Sequence, residues 1–156
     1  PADFVVHDPD DHPTRVSSLR AGRPALLVYE DRTAGEQNAR FKERLGALAR
    51  QSKLANRVAL VPIADVKAWD FWPARGFVKD ALRNVTHKVG VPVYADWSGD
   101  GRSKLSAESE RSNLVLLDRV GRVVWASSGK LDTAQETRLL ELISQQAQGT
   151  PAQGTQ

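Results

Sequence analysis

Five apolar residues in unbroken succession, Ala25-Leu26-Leu27-Val28-Tyr29, follow Pro24. A second such run, Val58-Ala59-Leu60-Val61-Pro62-Ile63, lies some thirty residues on. A strand without polar alternation has no face to offer water, so each run belongs inside a sheet covered on both sides. Between them, residues 36–52 carry Phe41, Leu45, Leu48 and Ala49 at helical spacing, with Arg40, Lys42, Glu43, Arg44 and Arg50 on the other positions. Strand, amphipathic helix, strand makes a right-handed parallel crossover unit. Gly46 weakens the helix by about 1 kcal/mol relative to alanine. Pro62 cannot donate to a ladder, so the second strand is expected to end there or to lie at a sheet edge.

The rest of the chain extends this plan. Phe4-Val5-Val6 and Thr14-Arg15-Val16 flank the turn-rich His7-Asp8-Pro9-Asp10-Asp11-His12-Pro13, a hairpin-like entry. A helix is expected from about Ala74 to Lys88, with Phe77 or Val78, Ala81, Leu82, Val85 and Val89 on one side. Val91 to Ala95 is extended, and residues 98–112 form a polar loop. Leu114-Val115-Leu116-Leu117 and Val123-Val124-Trp125-Ala126 form a hairpin whose turn contains Gly121. The last helix is expected to open on a Thr-x-x-Glu capping box, Thr133 to Glu136, and to bury Leu139, Leu140, Leu142, Ile143 and Ala147. The predicted architecture is an α/β three-layer α/β/α sandwich, with a mixed central sheet and an N-terminal hairpin extension. Residues 1–144 form one domain, and 145–156 form a flexible polar tail.

Composition narrows function mostly by exclusion. The chain of 156 residues has no cysteine, so disulfide exchange, thiol peroxidase chemistry and thiolate metal ligation are closed to it. Its 22 basic and 19 acidic side chains alternate along the sequence with a net charge of +3, leaving no basic stripe for nucleic acid. No apolar run reaches the length of a membrane-spanning helix. No Gly-x-Ser-x-Gly elbow, Gly-x-Gly-x-x-Gly turn or Gly-Lys-Ser/Thr phosphate loop occurs, and no cofactor is expected.

Four local clusters invite a functional reading beside a plain one. Asp96, Ser98 and Asp100 stand at positions 1, 3 and 5 of a half calcium loop, with Gly101 at position 6. Ala107 replaces the bidentate glutamate at position 12, so a glycine-rich turn is the simpler account, and no metal is expected. The His7–His12 cluster offers imidazoles and carboxylates but no distant third ligand, and again reads as a solvated turn. His87 beside Lys88 fits a helix C-terminus. Trp69, Phe71 and Trp72, three large aromatics within four residues before Pro73, are expected to cap the core beneath an insertion. The competing reading makes them a contact surface rimmed by Asp70 and Arg75.

Two segments carry a resemblance. Arg32-Thr33-Ala34-Gly35-Glu36-Gln37-Asn38-Ala39 follows the first buried strand, and Ser112-Asn113-Leu114-Val115-Leu116-Leu117-Asp118-Arg119-Val120-Gly121-Arg122-Val123-Val124-Trp125-Ala126-Ser127-Ser128-Gly129-Lys130-Leu131 spans the hairpin. With these the chain resembles thioredoxin-like proteins of the redoxin type, and more closely the bacterial YtfJ family. The resemblance covers the chain to about Ser144 and implies a thioredoxin-like fold. Where redox-active relatives carry Cys-x-x-Cys, this chain has Thr33-Ala34-Gly35-Glu36; where they carry a cis-proline, it has Ser112. Thr33 and Glu36 also match a helix-capping box, the plain alternative to a new site.

The expected function is therefore a redox-inactive domain that binds another protein through the former active-site face: Arg32, Thr33, Glu36 and Ser112, near Tyr29, Glu30 and Asp31, with Trp69, Phe71 and Trp72 as a candidate contact surface. The alternatives are a non-thiol enzyme using Glu36, Asp31 or His87, or a small-molecule or metal sensor. A cytoplasmic location fits loss of an initiator methionine alone; a periplasmic one follows if the resemblance extends to export.

Overall fold

The computed structural model describes residues 2–52 and 54–149. A hairpin of β1 (Val5–His7) and β2 (Pro13–Arg15) opens the chain and leads into the short helix α1 (Val16–Arg20). There follow β3 (Ala25–Glu30), α2 (Ala39–Ser52), β4 (Ala59–Asp65), α3 (Ala74–Val89) and β5 (Tyr94–Asp96). The short helix α4 (Asp100–Lys104), the hairpin β6 (Asn113–Leu117) and β7 (Val123–Ser128), and α5 (Thr133–Gln148) complete the order. The strands form one mixed sheet in the order β2-β1-β5-β4-β3-β6-β7. β3, β4 and β5 are mutually parallel, and β6 is antiparallel to β3.

Alternation along β3 divides the core. Leu26 and Val28 face Phe41, Leu45 and Ala49 of α2 and Leu139, Ile143 and Ala147 of α5. Ala25, Leu27 and Tyr29 face the other way, toward Phe4, Val6, Val16 and Leu105. Burying Phe41 and Leu45 stabilises the α2 docking by about 1.5–3 kcal/mol each. On β4, Leu60 joins the α2/α5 side, and Ala64, four residues on and so on the same face, packs with Val78 and Leu82 of α3. Helices thus lie on both sides of the sheet, the predicted three layers. α4 sits close on its side: a Cβ at Gly101 would come within 2.6 Å of the Phe4 ring and 2.8 Å of the Tyr29 ring.

Several boundaries differ from expectation, each for a local reason. β4 is an interior strand that runs through Pro62 to Asp65. The Ala59 N–H points at Pro24 of the β3 side, so by alternation Pro62 turns its missing donor toward β5. The β5 ladder opens only at Ile63, one residue later, so no bond is lost. α2 starts at Ala39, not at 36, after a 3-10 turn over Arg32–Ala34, and no capping box forms at Thr33 and Glu36. Thr33 Oγ1 instead donates to Asp31 Oδ1 at 2.8 Å. The final capping box is one residue earlier than expected. Asp132 accepts from the Gln135 N–H (2.8 Å), and Gln135 Oε1 accepts from the Asp132 N–H (3.0 Å). α5 runs to Gln148 with Ala147 buried, so residues 145–148 are helix, not tail; positions 150–156 of the expected tail lie outside the described residues.

Candidate functional site

The end of the sheet at the C-terminus of β3 gathers the predicted site. Glu30 ends the strand there, the 31–38 segment leaves it, and residues 106–112 return to open β6 beside it. Asp31 ties the two loops: one carboxylate oxygen accepts from Thr33 Oγ1, the other from the Glu110 N–H at 2.7 Å. Gln37 makes the second tie, accepting from the Ser112 N–H (2.9 Å) and donating to the Glu110 carbonyl (2.9 Å). Ser112 is fully buried, and its hydroxyl donates to Glu30 Oε2 at 2.5 Å. Glu30 Oε1 in turn meets Lys42 Nζ at 2.8 Å, and that ammonium also donates to the Gly35 carbonyl (2.8 Å). A carboxylate that leaves water needs such partners.

The predicted residues are therefore brought to one end of the sheet, but they are not alike. Arg32, Thr33 and Glu36 are exposed, whereas Ser112 lies beneath them as a support. The Arg32 guanidinium lies 5.7 Å from the Trp69 ring centroid, which joins the aromatic segment to this face. An open, polar depression of about 400 Å³ borders it, lined by Gln37, Ser109, Glu110, Arg111, Gly129 and Lys130. His87 is not part of the site. It stands in the last turn of α3, about 20 Å of helix from Ala74 at the site end.

The core expectation for the aromatics is overturned. Trp72 is 92% exposed, Phe77 72%, Phe71 57% and Trp69 37%. The turn from Lys67 to Pro73 carries them outward while Val66, Trp97 and Ala95 fill the core below. Arg75 holds this turn to the body: it stacks 4.2 Å from the Trp97 ring centroid and pairs with Asp70 (2.6 Å) and Asp11 (3.2 Å).

The half calcium loop is occupied by the protein's own donors. Asp96 is fully buried and accepts from Tyr29 Oη (2.7 Å), Gly101 N (2.9 Å), Gly99 N (3.0 Å) and Ser98 Oγ (3.1 Å). Burial, with the Asp96 carboxylate next to it, pushes the Tyr29 phenol far above the ordinary tyrosine range. Asp65, at the end of β4, is held by Arg102. Asp8, Asp10 and His12 present ligand atoms within 4.8 Å of one another. Asp8 Oδ1 there accepts the Asp10 and His12 N–H groups, a turn-forming use of the carboxylate.

Sequence reasoning passed over Gln37, Lys42 and Asn113. Asn113 is buried. Its Oδ1 accepts from Glu108 N (2.9 Å) and Ser128 Oγ (2.6 Å), and its Nδ2 is shared among the carbonyls of Tyr29, Glu108 and Arg111. A polar side chain opening an otherwise apolar strand was the available signal, since a buried amide there has to be satisfied by neighbours.

No family model and no curated protein sequence matches the chain. Solved structures do. The pneumococcal exposed lipoprotein thioredoxin Etrx1 of Streptococcus pneumoniae is similar with a TM-score of 0.67 at 15% identity, over 92% of this chain and 99% of that one. StoA of Bacillus subtilis gives 0.62 at 15%, over 90% and 96%. DsbF of MTB, solved in mixed oxidised and reduced forms, gives 0.62 at 18%, over 91% and 93%. Identity this low speaks to architecture alone. The chain has a thioredoxin-like fold, its structural neighbours are redoxins, and it carries no cysteine.

Proposed function

We propose that the chain is a redox-inactive, YtfJ-like bacterial domain that binds a protein partner through the end of the sheet where redoxins hold their thiols. The supporting observation is the network at that end of the sheet: Ser112 and Lys42 hold the Glu30 carboxylate. By the resemblance, Thr33 and Glu36 stand where redox-active relatives carry their paired cysteines. No thiolate forms on these side chains, so electron transfer through sulfur has no donor. Arg32, Thr33 and Glu36 remain exposed above a network that fixes both loops, with charged groups and an aromatic ring as contacts. A rigid, exposed face with its chemistry removed is suited to recognition.

Site-specific photo-cross-linking in cells that make the protein tests this. A cross-linker at position 36 should give a discrete adduct that Arg32→Glu abolishes. A cross-linker at position 120, in the β6–β7 turn at the opposite end of the sheet, should not give it. The same adducts from both positions would overturn the reading.

A further inference from the structure

The aromatic segment continues into a strip along α3 that the sheet does not cover. Successive helix residues turn by about 100°. Val78 and Leu82 face Val66, Ala95 and Trp97, and are half-buried. Phe77, Ala81 and Val85 recur at four-residue spacing on the adjoining face, and all three are exposed, as is Val89 in the last turn. The apolar arc of α3 is therefore wider than the arc the protein uses. With Trp69, Phe71 and Trp72 at its head, the strip runs the length of a helix of about 24 Å.

The charge around the strip has a positive excess. Asp70 and Asp11 are neutralised by Arg75 and Lys79 in one network, and Asp80 lies 3.8 Å from Arg83. Lys67 and Arg32 at the aromatic end, and Lys88 on the same helical face as Phe77, have no carboxylate partner among the described residues. Asn84 falls within about 20° of Phe77 on the helix and Asp80 borders that face, so the strip is most apolar at its aromatic end, where Trp69, Phe71, Trp72 and Phe77 stand exposed.

We infer that the strip formed by Trp69, Phe71, Trp72 and Phe77, rimmed by Arg32, Lys67 and Lys88, seats the domain on an anionic lipid surface. Tryptophan and phenylalanine flanked by lysine and arginine suit the boundary between headgroups and acyl chains, and cations near an anionic leaflet add attraction. The domain lies on the bilayer and does not span it; no helix among the described residues is long and apolar enough to cross one. A second copy is the weaker occupant, because a two-fold contact would set Lys67 and Lys88 among the same cations of its mate. Arg32 and Trp69 stand on the border that this footprint shares with the face proposed for protein binding, and Thr33 and Glu36 remain exposed beyond it.

Cosedimentation of the full chain with vesicles provides the test. Binding is expected with roughly equal parts phosphatidylglycerol and phosphatidylcholine, to weaken with salt, and to fall at least about tenfold with phosphatidylcholine alone. Trp72→Ala and Phe77→Ser should each weaken it by roughly tenfold without lowering the melting temperature, since both side chains are exposed. The double variant K67E/K88E should remove the preference for anionic lipid. Absence of binding at every lipid concentration, or unchanged binding by Trp72→Ala, overturns the inference. A concentration-dependent dimer abolished by Phe77→Ser would overturn it in favour of a second copy. Phe77→Ser and K67E/K88E leave Arg32, Thr33 and Glu36 in place, so the position-36 cross-link should persist in them and the two readings fail separately.

Discussion

The Ser112 hydroxyl donates to the Glu30 carboxylate across the joint between β6 and β3, 82 residues apart in sequence. This bond, with Lys42 on the other carboxylate oxygen, ties the C-terminal end of β3 to the entry of β6 and to α2.

Ser112→Ala should lower stability by about 1–3 kcal/mol, because it leaves a shielded carboxylate oxygen short of a donor. Ser112→Pro, which installs the residue the resemblance implies for redox-active proteins, should cost more. It also removes the N–H that donates to Gln37 Oε1. Denaturant midpoints measure both; a proline variant at least as stable as the parent would contradict the network's role.

The double variant T33C/E36C should not produce an activated thiol. α2 opens only at Ala39, so the thiol at 33 is not at a helix N-terminus, and the Asp31 carboxylate lies beside it. Its pKa should stay at about 8.5 or above. The pH dependence of alkylation reads this directly, and a value well below 7 would show that the helix dipole does reach the position.

Acid should destabilise the fold through Asp11. Burial raises its pKa, but the Lys79 hydrogen bond and the charges of Arg75, Lys79 and His7 outweigh this and hold it below the ordinary value of 3.8. The folded state therefore binds that proton less readily than the unfolded state. The stabilisation is present above the unfolded pKa and is lost as pH falls through the folded one. Thermal melts between pH 5 and about 3 should show this loss, and Asp11→Asn should flatten the slope.

Arg75→Ala should destabilise by about 1–2 kcal/mol, because the guanidinium both covers the Trp97 ring and joins Asp11 to Asp70. Trp72→Ala, three residues away, should change stability by no more than about 0.5 kcal/mol. Equal effects of the two variants would show that Trp72 packs against the body.

Much of this fold is written locally. The unbroken run at 25–29 reads as an interior strand, and the spacing of Phe41, Leu45 and Ala49 as one buried face of a helix, whereas Pro62 made the run at 58–63 read as a strand end or an edge, which the structure corrects. Missing cysteines excluded sulfur chemistry without any structure. In each case the cause is the composition or periodicity of a short stretch, which a sequence displays in full.

What tertiary structure decided was every outcome that depends on a partner far along the chain. Thr33 and Glu36 look like a helix cap, but Asp31 and the Ser112 loop claim that segment and delay the helix to Ala39. Asp96 looks like a calcium ligand until Tyr29, 67 residues upstream, takes one of its oxygens. Trp72 has a composition that argues for burial. Only the filling of the site below by Val66, Ala95 and Trp97 leaves it outside. Burial is a competition for limited volume, and the sequence names the competitors without naming the winner.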